Sequence, residues 1–250
     1  MRRWLAPALL LAALVGGWQI ATSTGAIAEA LDLEPFLVPS PAEIASAIWE
    51  DRSLLAENAW VTLGEILFGL AIAIAVGLAF AVGLHLSETL RLAFYPLLVV
   101  SQTIPVLVIA PTLVVWFGYG SLPKLAIVAL ICFFPVTVNT LDGLRTVDGD
   151  AIRMMRTLDA SRWQILRRVE APAALPFAFS GAKIAAVIAP IGAVFAEWSG
   201  SSEGLGHMIL QANAQYRVDV QLAAVVVLSA IALLLFGLLA LAERRVAAWR

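Results

Sequence analysis

DGLRTVDGDAIRMMRTLDASRWQILRRVEAPAALP, residues 142–176, lies between two long apolar stretches and carries Arg145, Arg153, Arg156, Arg162, Arg167 and Arg168. A chain that merely crosses a bilayer does not need such a segment. One that must hold a soluble partner at the membrane face does. The segment also has internal order. Asp148 suits the N-cap of a helix starting at Gly149, and Asp150 in the first turn complements the helix dipole. That helix would carry Arg153, Met154, Met155 and Arg156. Leu158-Asp159-Ala160 would turn the chain, and Ser161 followed three residues later by Gln164 is a capping-box pattern. The pattern predicts a second helix from Arg162 to about Val169, ended by Pro172, with Pro176 opening the next apolar stretch. Met154, Met155, Leu158, Trp163, Ile165 and Leu166 cannot all face lipid. Two readings fit: an amphipathic surface segment held by anionic headgroups, and a docking element for a protein. Two caps joined by a tight turn favour a defined fold over a loose anchor.

Composition sets the frame. The chain has 250 residues, 61% of them hydrophobic and 14% charged, with a mean hydropathy of +0.91. Soluble domains hold about 25% charged residues, so this is a membrane protein. A helical span needs about 20 apolar residues, which leaves room for about six. The net charge of −2 and the lack of a basic, aromatic-interleaved patch argue against nucleic acid. Cys132 is the single cysteine, so no internal disulfide forms.

The apolar runs fall at Trp4 to about Ile20, Trp60 to Leu84, Leu92 to Phe117, Lys124 to about Asn139, Phe177 to Trp198 and Val220 to Leu241. The third contains Pro96, Pro105 and Pro111. Between the first two runs, an acidic segment includes Pro39-Ser40-Pro41 and a short predicted helix over 42–49. Six spans place Arg2, Arg3, Arg91, the loop arginines, Arg244, Arg245 and Arg250 on one side, against Arg52, Lys124 and Arg217 on the other. The positive-inside rule then puts both termini and the Arg-rich segment in the cytoplasm. Arg2-Arg3, the first run and Ala26-Ile27-Ala28 also fit a secretory signal with an A-x-A site, whose removal would leave five spans in the same orientation.

In the permease subunits of type I ABC importers the cytoplasmic loop reads E-A-A, three residues, G, nine residues, I-x-L-P. On this chain that frame falls on Arg153-Met154-Met155, Asp159, Val169 and Ala171-Pro172. The proline matches and Val stands for Ile. The Glu-Ala-Ala is replaced, and Asp stands for the turn glycine. Asp tolerates the left-handed conformation better than most residues, so the turn can survive. Leu37-Val38-Pro39-Ser40-Pro41, Ser101-Gln102-Thr103-Ile104-Pro105, Trp116-Phe117-Gly118-Tyr119-Gly120, Asp159-Ala160-Ser161-Arg162-Trp163-Gln164, Pro172-Ala173-Ala174-Leu175-Pro176 and Gly204-Leu205-Gly206 resemble the nitrate, sulfonate and taurine branch of these permeases. Within it, Phe133-Phe134-Pro135, Asn139-Thr140-Leu141-Asp142-Gly143-Leu144 and Ile191-Gly192-Ala193-Val194-Phe195-Ala196-Glu197-Trp198 are most similar to permeases for thiamine-precursor (hydroxymethylpyrimidine) pyrimidines.

The resemblance implies an all-α integral membrane protein of the bacterial plasma (inner) membrane. It would have about six transmembrane helices and cytoplasmic coupling helices. Residues 1–57 would form an N-terminal helix and periplasmic segment, and 58–250 the transmembrane domain with a coupling loop at 142–172. A permease homodimer would form the pore. A dimer of ABC ATPase subunits would use ATP and Mg, and an external solute-binding protein would deliver the solute. This chain would bind no cofactor and would not be an enzyme. Independently, it contains no G-x-x-x-x-G-K-S/T phosphate loop. Arg153, Met154, Met155, Arg156, Leu158, Asp159, Ala160, Ser161, Arg162, Trp163 and Gln164 are the expected ATPase-coupling residues. Sulfonate, taurine, nitrate and riboflavin are the alternative solutes.

Polar residues inside spans are functional candidates, though many only join helices. Gln102, Thr103, Asn139, Glu65 and Glu197 are the candidates for the translocation path, with Gln102 foremost because it precedes Pro105, where a broken helix could expose backbone to a cavity. Lys183 is placed to snorkel, and Trp116, Phe133 and Phe134 suit either a gate or the core. Residues 37–49 and 204–206 are candidate contacts for a binding protein. Three other classes fit less well. An intramembrane enzyme would need a reactive cluster, and no H-E-x-x-H or G-x-S-x-G pattern occurs. A secondary transporter would show matched repeats. A membrane scaffold would leave the intramembrane polar residues without a purpose.

Overall fold

The computed structural model describes residues 2–247, with side chains from Leu5 onward. Arg250 and the side chains of Arg2 and Arg3, counted above toward orientation, lie outside the described residues. The described chain is helical, with no strand. Five helices are long and apolar enough to cross a membrane, and one bent pair adds a sixth if it counts as a single span. The chain divides into two compact units.

One unit holds the residues up to Val61 together with Ser202–Leu228. It contains α1 (Arg2–Ser23), α2 (Ala26–Leu31) and α3 (Pro41–Glu50), the start of α4 (Arg52–Leu86), α11 (Leu205–Ala214), and the first part of α12 (Val218–Val246). Ala26-Ile27-Ala28 is helical, with Ala28 buried. Helix α3 opens as its sequence dictates, with Pro41 at N1 and a capping box between Ser40 and Glu43. The Ser40 N–H and hydroxyl both donate to the Glu43 carboxylate, which holds it below its ordinary pKa. Gln19 on α1 accepts from the free N–H of Ala42 at 2.9 Å, fastening the two helices. Arg217 pairs with Asp51 at 3.0 Å, and Asn58 accepts from the Gly204 N–H at 2.7 Å.

The other unit comprises Thr62–Ser201 and the chain from Ser229 onward. Its axis is α7 (Ser121–Arg145), whose Ile127, Val128, Cys132, Val136 and Leu141 are fully buried. Two helices close on it through glycines. A Cβ at Gly181 of α10 (Ala171–Gly200) would sit 2.6 Å from the Pro135 carbonyl oxygen, and one at Gly77 of α4 would sit 2.9 Å from Val136. Small residues give this backbone proximity where lipid supplies no hydrophobic drive between helices. Phe133 and Phe134 pack against a core of Ala81, Leu84, Leu98 and Leu141, whereas Trp116 is exposed.

One sequence expectation is met here and one changes. The third apolar run is broken at Pro105, as its prolines suggested. It breaks into α5 (Glu88–Ser101) and α6 (Val106–Phe117), which meet at 101°. Pro105 lacks an N–H and disfavours helix at Ile104. The chain therefore closes α5 with tight bonds, Gln102 N–H to Val99 O and Thr103 N–H to Val100 O, before restarting. Pro172 does not end the second loop helix. The four-residue α9 (Arg162–Ile165) passes through a π turn, Leu166–Glu170, straight into α10. The Ala171 N–H reaches back to Leu166 O, and Pro172 falls in the first turn of α10, where a missing N–H costs little.

Candidate functional site

The Arg-rich segment folds as a compact helix–turn–helix. Asp148 accepts from the Asp150 N–H at 3.0 Å and caps α8 (Gly149–Thr157), and Arg153 pairs with Asp150 along it. At the other end Asp159 adopts φ 56°, its N–H reaches Arg156 O at 3.0 Å, and the Ala160 N–H reaches Met155 O at 3.1 Å. This is a Schellman closure with aspartate where glycine is usual. The turn therefore survives the substitution, as the sequence suggested. Ser161 and Gln164 then form the expected capping box, with the Ser161 N–H donating to Gln164 Oε1 at 2.7 Å.

The apolar residues of this segment divide. Ile165 and Leu166 are buried, and Leu166 joins Leu144 and Ala174 in a small core. Met154, Leu158 and Trp163 stay 60%, 70% and 61% exposed. The side chains of Arg153 and Arg156 are exposed as well. Such a surface suits a partner with apolar pockets and acidic groups.

Sequence reasoning passed over Glu170. It sits in the π turn and is 1% exposed. Arg162 donates to its Oε1 at 2.6 Å, and Nε2 of His85, in the last turn of α4, lies 2.9 Å from its Oε2. A lone carboxylate beside a proline-flanked apolar run was the available signal. Its partner, 85 residues earlier in the chain, was not predictable.

A second polar cluster fastens the far end of the α7–α10 pair. Lys124 donates to Glu65 at 2.6 Å and to Ser201 at 2.7 Å, and Thr62 donates to Glu197 at 2.6 Å. Glu65, Thr62 and Glu197 are all buried. The structure thus places Glu65 and Glu197 between α4, α7 and α10. Lys183 pairs with Glu243 of α12 at 2.6 Å, and Asn139 donates to the Pro135 carbonyl at 2.8 Å.

Gln102 lies at the 101° break between α5 and α6. Here a cavity of about 480 Å³ opens, lined by Ser101, Gln102, Ile104, Ile131, Ile188 and Phe195 among others, with no ionisable side chain. Gln102 Nε2 is 3.3 Å from Ser101 Oγ. Thr103, Asn139, Glu65 and Glu197 do not line this cavity.

Comparison with known proteins places this architecture. Residues 71–248 match the family described as "Binding-protein-dependent transport system inner membrane component". The chain is 40% identical to a "Probable ABC transporter permease protein" of Haemophilus influenzae, over 94% of this chain and 93% of that one. It is 36% identical to the formylaminopyrimidine transport permease protein ThiX of Halalkalibacterium halodurans, over 87% of each. A chain of the MetNI methionine ABC transporter, solved in inward-facing conformations, has the same fold: TM-score 0.70 at 20% identity, covering 79% of this chain and 98% of that one. The chain belongs to the binding-protein-dependent inner membrane components and is a permease subunit of an ABC importer, a transport component rather than an enzyme.

Proposed function

We propose that this subunit forms the translocation pore with a second copy of itself, and that α8, the Asp159 turn and α9 dock on an ATPase in the cytoplasm. One observation carries the docking reading: Met154, Leu158 and Trp163 remain exposed on a doubly capped element anchored at its far end by the buried Ile165 and Leu166. If lipid headgroups held the segment, no rigid turn would be needed. With the α5–α6 pair counted as one span, six spans set both termini and this element on the Arg-rich side, in the cytoplasm of a bacterial inner membrane. ATP and Mg are then used by the ATPase partner, and an external binding protein supplies the solute.

The solute we propose is a pyrimidine precursor of thiamine. The cavity beside Gln102 supports a small, uncharged ring: Phe195 and the isoleucines offer apolar surface, and the Gln102 amide offers both a donor and an acceptor. Sulfonate, taurine or nitrate would call for a cation that this lining lacks. The ThiX relative supports the same choice. Gln102 is the first path residue in this proposal, while Thr103, Asn139, Glu65 and Glu197 remain candidates through their neighbouring helices.

Three experiments test the reading. Leu158→Glu with Trp163→Ala, both on exposed side chains, should leave insertion intact and abolish stimulated ATP hydrolysis in vesicles; hydrolysis at the wild-type level would remove the docking role. The cognate binding protein should bind formylaminopyrimidine in preference to riboflavin, taurine, aliphatic sulfonates and nitrate, and Gln102→Leu should impair uptake of the preferred ligand without disturbing assembly. Preference for an anion would reject the solute assignment.

A further inference from the structure

An ATPase seated on α8 and α9 pulls directly on α10, because the backbone runs from Ser161 through α9 and the π turn into that helix without a break. No such covalent route leads to α4, which also packs on α7. The Arg162–Glu170–His85 cluster supplies a non-covalent one. Glu170 is 1% exposed, and its two oxygens face different elements: Oε1 takes the Arg162 guanidinium at 2.6 Å, and Oε2 lies 2.9 Å from His85 Nε2. Arg162 is the first residue after the N-cap Ser161, beside the exposed Trp163, and its side chain is 40% accessible. His85 stands in the last turn of α4 and is 10% accessible. One end of the cluster is thus at the docking face and the other inside the bundle.

The geometry also gives the cluster two arrangements. His85 Nε2 is 2.7 Å from Arg162 Nη2 as well as 2.9 Å from the carboxylate. A ring nitrogen carrying hydrogen donates to Glu170, and one carrying a lone pair accepts from Arg162; it cannot do both. The three groups therefore move as a set or exchange partners, and buried, charge-assisted bonds of this kind resist stretching.

We infer that Glu170 is a positioning residue that ties the docking segment to α4, so that a displacement imposed on α9 is shared by α4 and α10 together. The inference rests on the docking reading proposed above.

The test uses the assembled permease–ATPase complex in nanodiscs. Spin labels go on Leu86→Cys, at the exposed end of α4, and Thr157→Cys, at the exposed end of α8. The native Cys132 is buried and leaves the labelling selective. In the otherwise native chain, Mg-AMP-PNP should leave the Leu86–Thr157 separation unchanged. In Glu170→Leu it should shift by about 1–2 Å or more, the scale of helix displacements in switching proteins. His85→Leu should behave like Glu170→Leu, and His85→Gln, which keeps a donor near the Nε2 position, should behave like the native chain. His85→Leu leaves the Arg162–Glu170 pair in place, so it decides the matter if Glu170→Leu fails to assemble. A native separation that changes with nucleotide, or variants whose separation stays fixed while only their thermal stability drops, would overturn the tie. Failure of the native chain to hold an ATPase at all would instead reject the docking reading on which it rests.

Discussion

The two ends of the α7–α10 pair are both fastened by buried carboxylates, yet they are built for different purposes. At the Lys124 end the cluster is closed. Lys124 and Glu65 are both largely shielded, and Lys124 bonds to Glu65 of α4 and to Ser201 just beyond α10. At the Glu170 end the carboxylate is just as deep, but one of its partners, Arg162, reaches out to a capped, exposed helix–turn–helix. The first arrangement locks three helices at one point. The second connects a buried point to an exposed, capped segment, the one proposed above to dock an ATPase. Burial of the acid is common to both; the accessibility of the cation separates them.

Breaking the closed end should have the largest effect. Lys124→Met leaves Glu65 buried without its cation, which should cost about 3–5 kcal/mol, read as a lower unfolding temperature in lipid. Glu65→Leu combined with Lys124→Met should recover most of that loss. A single-variant cost under about 1 kcal/mol would mean the pair is hydrated, like a surface pair. At the open end, Ser161→Ala removes half of a capping box and should cost about 1 kcal/mol, confined to hydrogen exchange over 149–170. If exchange rose equally around Lys124, the two ends would not be independent. The smallest effect should come from Asp159→Gly. It relieves a left-handed aspartate at φ 56° and should slow exchange in the turn by an amount worth up to about 1 kcal/mol. Faster exchange would show that the aspartate side chain holds the turn.

The open end was the more legible of the two, and range along the chain explains why. Asp148, Asp159, Ser161 and Gln164 act on backbone groups within a few residues of themselves, so spacing alone revealed them. His85 and Glu170 meet across 85 residues and Lys124 reaches partners 59 and 77 residues away, and sequence spacing carries no sign of such partners. Glu65 and Glu197 were singled out as costly intramembrane acids, but only the fold reveals that Lys124 and Thr62 meet them. The prolines were read correctly at Pro105 and incorrectly at Pro172. Pro105 breaks its helix by 101°, whereas Pro172 passes unnoticed because a π turn shifts it into a first-turn position. A wider turn leaves no mark in the pattern of apolar residues, so that outcome was invisible beforehand.

Helix α7 has a consequence for the surrounding lipid. Lys124 and Leu144 stand twenty positions apart on it, which spans about 30 Å and equals the usual hydrocarbon thickness of about 30 Å. Lys124 belongs to the closed cluster, and Leu144 packs on Leu166 beside the open one. A helix of this length matches the hydrocarbon with a polar cluster near each end, and tilt takes up a difference in thickness.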